Sequence, residues 1–271
     1  MERELPLINI GGTDFIVDIT KLELREKADP TNTITFENMR DTGDGYTFEY
    51  NLRNKNLPNV FDRESITVKI PEFVAIDPEG MAARYNYPLE EVKSKSDFEL
   101  MVDQKAFDMR VNKGILPTVD IAGHTFYVDI RMDKLRPKDD FLSNGIVFSN
   151  IDRYYDLEKR TYTIPYNPKT HEFQEPDYLN LKELPKDLIA VRFPSERLLD
   201  RIGWNRKYGF EITHGLVRNG LKLQFAAKNV PWEKTFLADL IKSNLKAQKK
   251  QEKTTQKETS IQPKQNKGRR I

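Results

Sequence analysis

The 271-residue chain contains no cysteine. That excludes disulfides, thiolate metal sites and cysteine nucleophiles, so packing and hydrogen bonds must hold the fold. Histidine is scarce, with only His124, His171 and His214, and no two are close enough in sequence to form a local metal pair. His171-Glu172-Phe173-Gln174-Glu175 begins like the two-histidine helix of zinc proteases, but it ends in Glu and runs into Pro176, which opposes that helix. No metal site and no cofactor is expected. Gly43-Asp44-Gly45 lacks the lysine of a phosphate-binding loop, the third glycine of a dinucleotide fingerprint and the spacing of a calcium loop. It reads as a polar hairpin turn. A nucleophile elbow of the G-x-S-x-G kind is also missing. Long uncharged apolar runs are absent, and the opening Met1-Glu2-Arg3-Glu4 leads into Leu5-Pro6 without a signal-like apolar stretch. The expectation is a cytoplasmic protein with no membrane partner.

What is present is charge, at 32% of residues, and aromatics, at 10%. The formal net charge of +2 hides an asymmetry: residues 246–271 carry nine cations and two anions, so residues 1–245 carry −5. Nucleic-acid attraction through simple charge therefore belongs to the Lys-rich tail, whose Lys, Gln and Thr content predicts disorder.

The strongest pattern is internal. Residues 5–27 and 116–138 align without gaps and are identical at eleven of 23 positions, among them Pro6 with Pro117, Gly12 with Gly123, Phe15 with Phe126 and Asp18 with Asp129. After one inserted residue the match resumes at Ile34-Thr-Phe36 and Ile146-Val-Phe148, and then at Tyr46-Thr-Phe48-Glu-Tyr50 and Tyr162-Thr-Ile164-Pro-Tyr166. A weaker echo sets Val74–Pro78 beside Ile189–Pro194, each read as a buried strand, a proline stop and a short helix. A repeat of roughly 110 residues favours two tandem domains over a solenoid.

The predicted fold class is α+β: two tandem related modules, each a mainly antiparallel sheet with one or two helices, plus the tail. The boundaries are 1–111, 112–245 with a C-terminal helix, and 246–271. Alternation around Gly11-Gly12 and around Ala122-Gly123 marks hairpins. Ser96-Asp97-Phe98-Glu99 has the form of a capping box. Pro231 is expected to open a helix whose apolar face is Phe236, Leu237, Leu240, Ile241 and Leu245, and Phe210 and Ile212 to pair with Leu221, Leu223 and Phe225 across Asn219-Gly220.

LPTVDIAGHTFYVDIRMDKLRPKDDF and IPYNPKTHEFQEPDY resemble uncharacterised duplicated proteins of Bacteroidota and their mobile genetic elements. The resemblance implies a genomic setting and carries no activity or site.

Two sets of candidate residues stand out. Six of the eleven tyrosines fall within residues 127–178, interspersed with arginines, and Tyr154-Tyr155 has no counterpart in the first module. Tyr154, Tyr155, Tyr162 and Tyr166 with Arg153 and Arg160 are the expected contact set, because such side chains suit interfaces and stacked bases. Core packing of alternate tyrosines is the competing reading. Asp18 and Asp129 hold the same place in a Phe-x-Val-Asp-Ile strand and are the one acid/base pair worth weighing, against solvated aspartates paired with Arg25 and Arg136. The expected function is a non-catalytic intracellular binding or adaptor protein with a protein partner. The alternatives are a nucleic-acid accessory protein of a mobile element and an enzyme with a carboxylate site between modules. No residue is assigned as catalytic, and the oligomeric state is left open.

Overall fold

A computed structural model describes residues 3–60, 62 and 64–259, with side chains through 251. The fold is α+β, built chiefly from antiparallel sheets. Two compact units are present: Met1–Pro117 with Asp200–Leu223, and Thr118–Leu199 with Gln224–Ile271.

The first unit opens with β1 (Leu7–Ile10), β2 (Thr13–Asp18), β3 (Glu23–Glu26) and β4 (Thr33–Thr35), a four-stranded antiparallel sheet in chain order. Gly11 and Gly12 turn the first hairpin at φ of +57° and +86°. A side chain at Gly11 would also run into Leu52, whose Cδ2 lies 2.4 Å from the Cβ position. A second sheet combines β5 (Arg40–Asp41), β6 (Tyr46–Tyr50) and β7 (Ile66–Ile70), with Tyr46 opposite Ile70 and Tyr50 opposite Ile66. Then come α1 (Phe73–Ile76), α2 (Pro78–Tyr85), α3 (Leu89–Val92), α4 (Asp97–Met101) and α5 (Gln104–Val111). Val74–Ile76 is thus a helical turn, not the expected strand. The Asp97 carboxylate accepts the N–H groups of Phe73 and Val74 at 2.7 and 2.8 Å, and Glu72 accepts the N–H of Asp97 at 3.0 Å. The first turns of α1 and α4 so cap each other. The predicted capping box is found: Ser96 and Glu99 exchange hydrogen bonds.

The second unit starts with β8 (Thr118–Ile121), β9 (His124–Asp129), β10 (Lys134–Pro137) and β11 (Ile146–Val147), followed by α6 (Phe148–Ile151). The registers correspond to those of β1–β4: Ile8 faces Phe15 and Val119 faces Phe126, while Leu24 faces Ile34 and Leu135 faces Ile146. Then follow β12 (Tyr155–Asp156), β13 (Thr161–Asn167), β14 (Glu172–Phe173), β15 (Ile189–Pro194) and α7 (Glu196–Leu199). Tyr162 faces Phe193 and Tyr166 faces Ile189, matching the β6–β7 pairs. Phe15 meets Tyr50 edge-on at 6.1 Å, and Phe126 meets Tyr166 edge-on at 6.3 Å. The two aromatic pairs anchor separate cores.

Residues 200–223 differ from the expected linear division. They form α8 (Arg201–Tyr208) and α9 (Leu216–Asn219), and Ile202, Leu216, Val217 and Leu221 belong to the core of the first unit. The cause is local and polar. Asp200 is fully buried, caps α8 by accepting the Gly203 N–H at 2.9 Å, and receives the Arg110 guanidinium at 2.7 and 3.0 Å. Asp77 does the same for α2, accepting the Gly80 N–H at 2.9 Å and the Arg3 guanidinium at 2.6 Å. At both glycines a Cβ would sit 2.1–2.2 Å from the capping carboxylate, which explains their absence of a side chain. The expected hairpin of Phe210 and Ile212 with Leu221 and Leu223 is not formed. Asn205 donates to the Ile212 and His214 carbonyls and folds that loop back against α8, and α9 takes the place of a turn.

The chain returns to the second unit as β16 (Gln224–Ala226) and β17 (Lys228–Val230), then α10 (Leu237–Thr259). β16 lies parallel to β8, and β17 pairs with β15. Pro231 precedes a short 3₁₀ turn, and the long helix begins only after Thr235, whose hydroxyl accepts the Leu237 N–H. Of its expected apolar face only Leu237 is buried, while Phe236 is 55% exposed. The helix continues through Thr259, so residues 246–259 are helical where disorder is expected from composition. Lys side chains favour helix and the stripe Leu240, Ile241 and Leu245 carries the pattern into it. The rest of the expected tail, 260–271, lies outside the described residues.

Removing the Asp200 carboxylate should leave the buried Arg110 uncompensated. Asp200→Ala is expected to cost about 3–5 kcal/mol in urea unfolding, whereas Arg110→Met with Asp200→Leu should cost markedly less, because the charge leaves with its partner. Equal losses would show that the cap, and not the ion pair, carries the stability.

Candidate binding surfaces

The tyrosine set separates into core and surface. Tyr162 and Tyr166 are buried on β13, so neither presents a ring to a ligand. Tyr162 donates to Glu196 at 2.7 Å, and burial, with that carboxylate, pushes its phenol pKa upward. The same device is present in the first unit, where Tyr46 donates to Asp97 at 2.5 Å and burial again raises the phenol. Both tyrosines thereby fasten a sheet to the first turn of a helix. Among the described residues the buried Tyr166 hydroxyl has no hydrogen-bond partner, nor has that of Tyr50 at the matching position.

Tyr154 is also buried, held by Glu175 at 2.7 Å and by a hydrogen bond to the Tyr178 hydroxyl. Arg153 lies over the Tyr154 and Tyr178 rings at 5.4 and 6.0 Å and pairs with Glu175. Phe173 and Phe236 close the cluster at 5.4 and 6.5 Å from Tyr154. Its polar handles are engaged internally. Tyr155 is 38% exposed and leans on Tyr162, and Arg160, at φ +52°, is an exposed turn residue whose carbonyl accepts the Ser195 N–H. Of the six expected contact residues, Arg153, Tyr155 and Arg160 remain open to solvent.

Asp18 and Asp129 are both nearly buried, at 7% exposure, and not solvated as alternation alone predicts. Asp18 accepts the Lys21 N–H at 3.2 Å and pairs with Arg25 at 3.4 Å; Asp129 accepts the Met132 N–H at 3.1 Å and lies 4.0 Å from Arg136. Each carboxylate closes the tight turn that follows its own strand. The arginine partners are the ones the sequence suggests. Each carboxylate is thus engaged by a turn N–H and by an arginine on the next strand of its own sheet.

The structure also brings together groups that sequence spacing separates. The His124 and His171 rings approach to 3.6 Å between centroids, with His171 Nδ1 2.9 Å from Asp140. No group of three histidine or carboxylate side chains among the described residues is arranged to hold a metal.

A more exposed aromatic face lies in the first unit. On α8 and the loop after it, Trp204 packs against Tyr208 at 4.2 Å and Phe210 stacks on His214 at 5.1 Å and 13°. Tyr208 and Phe210 are half exposed. Arg206, Lys207, Arg218 and Lys222 are exposed on the same segment. Sequence reasoning misses this face because it aligns Val74–Pro78 with Ile189–Pro194. Matching the two capping aspartates instead sets Met81 against Trp204 and Ala83 against Arg206, while Tyr85 and Tyr87 match Tyr208 and Phe210, so the difference between the helices is Trp204 and Arg206.

No family model, curated protein or solved structure matches the chain. Among the described residues no helix is long and apolar enough to cross a membrane.

Burial divides the tyrosines into testable classes. Tyr154→Ala should destabilise by about 3–5 kcal/mol in denaturant unfolding, and Tyr155→Ala by well under half of that. Tyr166→Phe should be neutral or stabilising, since it removes a buried hydroxyl that has no partner. A large loss at Tyr166→Phe would reveal an ordered partner for that group.

The buried carboxylates give a pH signature. Burial raises both Asp97 and Glu72 above the ordinary 3.8 and 4.5. A carboxyl whose folded pKa is raised stabilises the fold below its unfolded pKa and loses that contribution as pH rises through the folded value. The stability of the wild type minus that of Asp97→Asn should therefore fall as pH rises from about 4 toward neutrality. Urea midpoints measured across that range check the sign.

Proposed function

We propose that the chain is a non-catalytic binding protein that recognises an extended polypeptide by strand addition at β1. The observation that carries this reading is a difference between two corresponding edges. In the second unit the outer edge of β8 is occupied by β16, with Phe225 opposite Val119 and the Ala227 N–H donating to the Asp120 carbonyl at 2.8 Å. Val119 is fully buried there. In the first unit β1 ends its sheet, and among the described residues no strand lies outside it. Leu7 is 46% exposed, and Ile8, at the place of Val119, is only half buried.

β1 reads Leu-Ile-Asn-Ile, without a charge or proline inside the strand. Natural edges ordinarily carry such residues to prevent pairing, so an apolar, uncharged edge suits a strand partner. Main-chain bonds would supply affinity, and the side chain opposite Ile8 would supply selectivity. The occupant of β8 defines the partner's chemistry: an extended segment, parallel to β1, with one large apolar residue between small or polar ones. The open edge of β1 is what favours binding over an enzyme with a carboxylate site between modules.

A synthetic peptide with the sequence of residues 221–229 serves as probe, added to the full chain and followed by amide hydrogen exchange. Protection of residues 7–10 is expected, and Ile8→Arg should abolish it. Saturating peptide without protection at 7–10 would overturn the reading.

A further inference from the structure

The α8 face and the loop that follows it are not used by strand addition. We infer that they form a binding site for single-stranded nucleic acid, with bases on Tyr208 and Phe210 and phosphates on the surrounding cations. The first argument is charge. Residues 201–222 hold five cations and one anion, a net +4, leaving −9 on the rest of the first 245 residues. Within the first 245 residues, a cationic segment on an otherwise acidic body concentrates polyanions at that segment, in addition to the attraction of residues 246–271. Arg201 is buried, so the outward charge comes from Arg206, Lys207, Arg218 and Lys222, with Glu211 as the single exposed anion of the stretch.

The second argument is the comparison with α2. There Met81 is in the core, Ala83 is neutral, and Arg84 is tied to the carbonyls of Ile19 and Thr20. α8 keeps the same aspartate cap, the same glycine and a tyrosine at the matching place, Tyr85 against Tyr208. It substitutes a half-buried Trp204 and an exposed Arg206 where a core methionine and an alanine suffice for packing. Arg206 reaches the Val111 carbonyl at 3.5 Å, and Lys207 lies over the Tyr208 ring at 5.7 Å as Arg84 does over Tyr85. Beyond the two aromatics that both helices carry, α8 thus adds one aromatic ring and one cation.

The third argument is rigidity. Gly209, at φ +72°, ends the helix, and the Phe210 N–H donates to the Asn205 carbonyl at 2.9 Å. Asn205, wholly buried, holds the Ile212 and His214 carbonyls at 3.0 and 2.9 Å. Phe210 and His214 are thus held in parallel stacking, and Trp204 supports Tyr208 from one turn earlier. Preset rings lose little freedom on meeting a base, and every base offers a face to stack on. A duplex hides those faces, which is why the single strand is the ligand chosen.

The test is fluorescence anisotropy with a labelled 12-nucleotide oligothymidylate and the full chain at near-physiological salt. The Lys-rich C-terminal region is present in every variant, so its contribution is common to all. Tyr208→Ala with Phe210→Ala should weaken binding at least roughly tenfold, and Tyr208→Phe should retain it. Arg218→Gln with Lys222→Gln should lower the slope of log affinity against log salt by about 1.4, at about 0.7 per phosphate contact. Phe210→Leu, which keeps apolar bulk but removes the ring, should weaken binding even if the double alanine variant fails to fold. Unchanged affinity in a folded Phe210→Leu, with the salt slope also unchanged in the charge variant, would overturn the site. Equal displacement by a polyglutamate of similar length, with no effect of the aromatic changes, would overturn it in favour of an acidic polypeptide.

Discussion

A buried aspartate capping a helix while gripping an arginine from a distant segment is the interaction on which the first unit depends. Asp200 with Arg110 is the fully enclosed example, 90 residues apart in sequence. Neither charge tolerates burial alone, so the two segments must arrive together. The cap also places Gly203 where no side chain fits, and α8 then follows with Ile202 in the core. Asp77 with Arg3 repeats the arrangement at α2. Residues 200–223 consequently belong to the first unit although most of their sequence neighbours belong to the second.

Around these caps runs a second recurring device, a tyrosine that ties a sheet to a helix start. Tyr46 reaches Asp97 and Tyr162 reaches Glu196, with the acid drawn from a different place in each unit. The tyrosine, the strand register and the helix it serves correspond, while the source of the carboxylate does not. The physical requirement is an acceptor for a buried phenol beside unsatisfied N–H groups, and either acid meets it. This accounts for much of the aromatic excess without any ligand.

The two proposed surfaces arise where corresponding positions diverge. β8 is covered by β16 and β1 is open; α2 turns Met81 inward and α8 carries Trp204 and Arg206. Where a device already satisfies packing and hydrogen bonding at one of two corresponding elements, additional exposed apolar or cationic groups at the other are not needed for folding. The two proposals rest on these separate differences, so each stands or falls by itself.

Much of the sheet architecture was legible from sequence alone. Period-two alternation, the Gly-Gly and Ala-Gly turns and the matched motifs of residues 5–50 and 116–167 determined the first hairpins and the α+β class, because these depend on residues near each other in the chain. The capping box at Ser96 was legible for the same reason. What only the tertiary structure decided was where residues 200–223 reside, which tyrosines are buried and what covers the edge of β8. Those outcomes rest on partners far away in sequence: Arg110 for Asp200, Glu175 and Tyr178 for Tyr154, and Phe225 for the edge of β8. A buried ion pair or a covered strand edge leaves no periodicity to read, since its cause is the meeting of segments that local pattern treats as independent.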